Sequence, residues 1–199
     1  MAYLSREERR EQIRNTAADI LSRESLAAAT VRRIAQETGC SLGQIHHHFD
    51  SAAALRAEAV GQVWARLETL LLPVLRDLPP RKRLLAILAC SQDQLPAEFA
   101  ETLDTAERLW KEVWDIRQEE PVRAAICEVL LKMRGELRLA LEDGIAAGAF
   151  PSGIDICDVS MRLMAATHGY DLLEDAGVTA DAPCDKIAFL ERLLDLEGL

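Results

Sequence analysis

Thr30-Val-Arg-Arg-Ile-Ala-Gln-Glu-Thr-Gly-Cys-Ser-Leu-Gly-Gln-Ile-His-His-His-Phe49 is the stretch on which the fold turns. Thr30 can cap a short helix over 31–38, and Gly39 supplies the backbone freedom for a tight turn. Ser41 and Gln44 form a capping box that starts a helix of barely two turns, ending around His48. Val31, Ile34, Ala35, Cys40, Ile45 and Phe49 can close one small core, which leaves Leu42, Gly43, Gln44, His46 and His47 facing outward. Two short helices joined in this way, with a preceding helix to pack across them, are a helix-turn-helix unit. A helix so short and polar has little reason to exist alone, and its use is to put its N-terminal end into the major groove of DNA.

The flanks agree with this reading. Ser5 and Glu8 form a capping box for a first helix that stops near Ser22, with Ile13, Ala17, Ile20 and Leu21 on its buried stripe. Asp50 or Ser51 caps a long fourth helix over 52–78, which Pro73 is expected to kink or end. Helical periodicity continues over 81–94, one or two helices in 96–119, a longest helix from Pro121 to about Ala147, then 155–174 and 183–196. The expected fold is all-α, with nine or ten helices, divided into a helix-turn-helix domain over 1–51 and a helical domain over 52–199.

Composition narrows the function. The chain has 199 residues, 49% apolar and 5% aromatic, enough for a packed helical core. Its net charge of −10 is unevenly placed: residues 1–60 hold eight Arg and eight acids, leaving 15 basic and 25 acidic groups in 61–199. The first segment can therefore approach phosphate while the rest repels it. No apolar run reaches the ~18 residues of a membrane helix, and the Arg/Glu-rich start lacks a secretory pattern, so a cytoplasmic location is expected. Five cysteines, Cys40, Cys90, Cys127, Cys157 and Cys184, never form C-x-x-C and read as reduced, mostly buried thiols. His46, His47 and His48 point about 100° apart and cannot share one metal ion. Nucleophile-elbow, zincin, P-loop and dinucleotide-binding motifs are missing, so neither an enzyme nor a cofactor is expected.

Thr30, Ile34, Ala35, Gly39, Cys40, Ser41, Gly43, Ile45, His46, His48, Phe49, Ser51 and Leu55 stand at the offsets of a known signature. Over about residues 8–60 the chain resembles the tetracycline-repressor (TetR) family of bacterial transcriptional regulators. Gly144 to Phe150, followed by Asp155 and Gly169, looks like that family's join between its two dimer-forming helices. Members usually carry Tyr at the position of His46 and Lys at that of Ala52; both usually touch DNA phosphate.

The resemblance implies a homodimer whose third helices read the half-sites of a palindromic operator, and a C-terminal domain for effector binding and dimerisation. Candidate DNA-binding residues are Arg10, Thr30, Arg32, Arg33, Ser41, Leu42, Gly43, Gln44, His46 and His47. Cys90, Phe99, Trp110, Trp114, Cys127 and Met133 either line an apolar effector pocket, as in that family, or form ordinary core; His168 either reaches the ligand or is a satisfied core histidine. Leu130, Leu137, Leu141, Leu163 and Tyr170 are the candidate dimer seam. The expected activity is that of a repressor released by a small apolar ligand. The alternatives are an effector-free structural DNA-binding protein, and a helical enzyme or carrier that has lost DNA binding.

Overall fold

The computed structural model describes residues 4–90, 95–181 and 185–199. Among them the regular structure is helical, with no strand. The α-helices are α1 (Arg6–Arg23), α2 (Val31–Thr38), α3 (Leu42–His48), α4 (Ala52–Asp77), α5 (Pro80–Ala89), α6 (Ala100–Asp115), α7 (Glu120–Ala146), α8 (Ile156–Asp175) and α9 (Lys186–Leu196). The caps read from the sequence at Ser5, Thr30 and Ser41 are present, Ser5 and Ser41 as full capping boxes, and Ser51 accepts from the Ala54 amide; Asp155 and Asp185 cap α8 and α9 in the same way, two caps that the sequence reading does not name. Helix α4 continues through Pro73 to Asp77. Helix α5 ends at Ala89, short of the expected boundary, and residues 91–94 lie outside the described residues, as do Pro183 and Cys184.

The chain forms two compact units. The first comprises residues 1–70 and 101–130, so the helix-turn-helix is part of a larger body that includes α6 and the start of α7. One apolar cluster runs through it, joining Ile13, Ile20 and Leu21 of α1, Ile34, Ile45 and Phe49 of the helix-turn-helix, Leu55 and Val63 of α4, and Leu109 and Val113 of α6. Polar ties hold α4 against α1: Arg66 pairs with Asp19 at 2.6 Å, and Gln62 donates to Asn15 at 3.2 Å.

The second unit comprises residues 71–100 and 131–199. Helix α5 packs on α8 and α9, and Leu84, Leu137, Leu141, Leu163 and Leu190 are fully buried. Arg76 bridges to Glu136 at 2.5 Å, and Arg83, itself buried, bridges to Asp143 at 2.7 Å. Phe150 lies on the backbone of Gly144, where an added Cβ would stand 2.1 Å from the ring.

The thiols depart from expectation. Cys40 is half-buried, and Cys90, Cys127 and Cys157 are exposed. Cys90 follows the last turn of α5, while Cys127 and Cys157 lie on the outer sides of α7 and α8, where periodicity leaves the chain open to water. Apolar composition predicts burial only when the residue falls on an inward face.

Candidate nucleic-acid interface

The interface is built by caps. Thr30 accepts from the amide of Arg33 at 3.1 Å and starts α2; Gly39, at φ +67°, ends it. That left-handed residue turns the chain so that the Cys40 amide bonds back to the Ala35 carbonyl at 2.9 Å. Ser41 then accepts from the Gln44 amide at 3.2 Å, while the Gln44 side chain accepts from the Ser41 amide at 2.9 Å. Buried Ile45 and Phe49 anchor α3, and Leu42, Gly43, Gln44, His46 and His47 are all exposed, Leu42 by 49%. An exposed leucine beside polar groups on a two-turn helix is a surface made to be covered.

The arginines sort into two kinds. Arg32 is exposed with no hydrogen bond or ion pair among the described residues, so its guanidinium is available to an external anion. Arg33 is held by Glu24 at 2.9 Å and Glu37 at 2.7 Å, which raise its pKa, the Glu37 hydrogen bond most. Arg10 turns inward: it donates to the His48 carbonyl, pairs with Glu58 and lies over the Phe49 ring at 4.4 Å. Its guanidinium supports α3 from behind, which removes it from the candidate contact surface. His48 is half-buried, with a sealed Nδ1 lacking a partner, and its pKa is lowered chiefly by burial and further by His47, Arg6, Arg10 and Arg9.

Residues 13–59, which hold α2, α3 and their caps, match the family described as bacterial regulatory proteins, tetR family. Over this stretch the chain is similar to the TetR family. The HTH-type transcriptional regulator PksA of Bacillus subtilis is 31% identical over 86 residues, a match spanning 43% of this chain and 42% of that protein. A TetR transcription regulator from Haloarcula marismortui shares the fold with a TM-score of 0.62 at 20% identity, covering 96% of this chain and 97% of that one. FadR of Bacillus subtilis, solved in complex with stearoyl-CoA, aligns with a TM-score of 0.54 at 17% identity, over 94% and 97% of the two chains.

The other candidate residues of the chain fall into both units. In the first, Trp110 and Trp114 stack at 5.6 Å, and Trp64 of α4 extends the stack at 6.2 Å, 7° from parallel. Arg117 covers the open face of Trp114 at 5.2 Å. Spacing pairs Trp110 with Trp114, but nothing along the chain signals Trp64, because stacking between helices depends on their rotational phase. Cys127 is exposed on α7.

In the second unit, Phe99 and Met133 are half-buried and Cys90 is exposed. His168 is also half-buried, its Nδ1 3.8 Å from Asp171, which pairs with Lys186 at 2.5 Å. Burial lowers the His168 pKa, opposed by Asp171 and aided by Lys186.

The candidate seam is largely occupied. Leu137, Leu141 and Leu163 are fully buried and Tyr170 nearly so within one chain, leaving Leu131, Leu139, Met161, Leu172 and Leu173 as the exposed apolar residues of α7 and α8. Sequence periodicity finds the apolar stripe but does not say whether the chain or a second copy covers it.

One contact escaped the motif reading altogether. Arg108 of α6 donates to the carbonyls of Leu21 and Ser22 at 3.1 and 2.8 Å, and Glu112, one turn on, accepts from the Leu26 amide at 2.6 Å. Helix α6 thereby grips the last turn of α1 and the loop that leads to α2.

Proposed function

We propose that this TetR-family regulator is a one-component repressor that binds palindromic operator DNA as a homodimer and leaves it when a small ligand occupies the effector domain. The observation that carries the DNA-binding reading is the outward face of α3, where Leu42, His46 and His47 are exposed and serve no contact in the core. Gln44 and Gly43 beside them allow close approach to base edges, and Arg32 supplies a phosphate contact. Thr30 and Ser41 set the caps that aim α3, Arg33 stands at the rim already paired with Glu24 and Glu37, and the net negative charge of residues 61–199 keeps the rest of the chain off the duplex.

Ligand response requires a route from effector to α3. The Arg108–Glu112 grip supplies one, since a shift of α6 that moves these two side chains moves the end of α1 and the entry to α2. A ligand that favours one arrangement of α6 over another shifts the DNA-binding population by its differential affinity. The two functional domains are proposed over 1–51 and 52–199, joined by α4. The homodimer uses the exposed stripes of α7 and α8, in which Gly135 and Gly169 have open space above the backbone. Mid-helix glycine costs roughly 1 kcal/mol relative to alanine, a cost that close helix–helix approach offsets.

Electrophoretic retardation of the DNA upstream of the gene tests the function. The wild-type chain is expected to retard it and a nonspecific fragment of equal length only at higher concentration. Replacing Arg32 or His47 by Ala should weaken retardation while helix content stays unchanged. Absence of any retarded fragment at low salt would overturn the reading.

A further inference from the structure

Buried and half-buried arginines in this chain are almost all neutralised from within. Arg10, Arg14, Arg33, Arg56, Arg66, Arg81, Arg83 and Arg108 each form an ion pair, and Arg9 donates to Gln12. The remaining unpaired arginines, Arg6, Arg32, Arg138 and Arg192, are exposed to water. Arg134 fits neither group. It is half-buried on α7, its Nε is sealed from solvent without an acceptor, and it makes no hydrogen bond or ion pair among the described residues. The Nε atoms of Arg14, Arg56 and Arg83 also lack acceptors, but each of those guanidiniums is paired through its other nitrogens.

Helix spacing explains why no partner is at hand. Arg14, Arg123 and Arg162 find carboxylates one turn away on their own helices. The corresponding neighbours of Arg134 are Leu130, Leu131, Leu137 and Arg138. Leu137 and Leu141 on the same side of α7 are fully buried and Met133 is half-buried, so the guanidinium emerges beside apolar surface. An unmet charged donor in such surroundings is costly, and the chain carries it without any compensating contact of its own.

We propose that Arg134 anchors an anionic group of the effector, a carboxylate or phosphate on an otherwise apolar molecule. This rests on the effector reading above and names the chemistry of the ligand. Nε is sealed, so the two Nη groups form the open fork that meets two oxygens at once, a geometry matched by both anions and not by a hydroxyl. The apolar tail lies along half-buried Met133, and the charge at Arg134 orients it.

Dodecanoate, dodecyl phosphate and dodecanol, below their micellar concentrations, are the probes. Scanning calorimetry of the full chain without DNA reads binding, and retardation of the upstream fragment reads the response separately. Dodecanoate or dodecyl phosphate is expected to raise Tm, with dodecanol binding about tenfold or more weakly, as loss of a charge-assisted hydrogen bond predicts. Whichever acid binds tells a carboxylate effector from a phosphate one. Arg134→Met should abolish the difference between acid and alcohol, and Arg134→Lys should weaken acid binding while retaining fold and sedimentation mass. Equal binding of acid and alcohol, no binding of either acid, or unaltered acid binding by Arg134→Met would overturn the proposal. So would an Arg134→Met chain that is monomeric where wild type is dimeric, which assigns the guanidinium to a subunit contact. Failure of wild type to retard DNA would count against the repressor reading alone.

Discussion

His48 ends α3 with one ring nitrogen sealed and a cluster of arginines nearby, and His168 is half-buried beside Lys186, so both imidazoles resist protonation in the folded chain. Above the ordinary histidine value of 6.5 the rings are neutral in both folded and unfolded states. As pH falls below it, the unfolded chain takes up protons that the folded chain binds only at lower pH, so stability is lost through that window. Calorimetric Tm is therefore expected to drop from pH 7 toward pH 5, with a shallower slope in His48→Gln and in His168→Gln than in wild type. Identical slopes in all three proteins would remove the histidines as the cause. Arg10 yields a second residue-level expectation. It bonds the His48 carbonyl, pairs with Glu58 and covers Phe49, so Arg10→Met should cost about 1–3 kcal/mol in denaturant unfolding. A candidate phosphate contact thus becomes a support of the recognition helix, a role invisible in the sequence because Glu58 lies 48 residues away.

Helix boundaries were legible wherever a side chain caps them. Ser5, Thr30 and Ser41 each announce a start that the structure keeps, since their chemistry acts within three residues. Contacts between helices were not, and the Arg108–Glu112 grip is the clearest case. Arg108→Ala frees two carbonyls at the end of α1 and should loosen that turn, read as faster amide exchange at residues 22–28, with α7 and α8 unchanged. Equal exchange in wild type and variant would show that the Arg108 bonds do not hold that turn. The join after α7 makes a steric prediction. With Phe150 lying on Gly144, Gly144→Ala has to displace a buried ring and is expected to destabilise the chain by about 1–3 kcal/mol, measured by urea unfolding.

The helix-turn-helix draws part of its core from α6 and α7, far along the chain. The apolar stripes of α7 and α8 were readable as stripes, but a period of 3.6 residues does not say which flank meets a second copy. The structure leaves Leu139 and Met161 open, so Leu139→Glu with Met161→Glu should reduce the proposed homodimer to a monomer in sedimentation equilibrium. Retention of the dimer would place the interface elsewhere. The tryptophan stack has a consequence of an optical kind. All three tryptophans of the chain, Trp64, Trp110 and Trp114, belong to the first unit, so tryptophan emission excited away from Tyr170 reports on that unit and is blind to the second. Circular dichroism averages every helix. Because α4 and α7 contribute to both units, melting followed by emission and by dichroism should superimpose as one transition, and two separated curves would reveal units that unfold independently. One half of the protein carries a built-in lamp, and the dark half can be followed by difference.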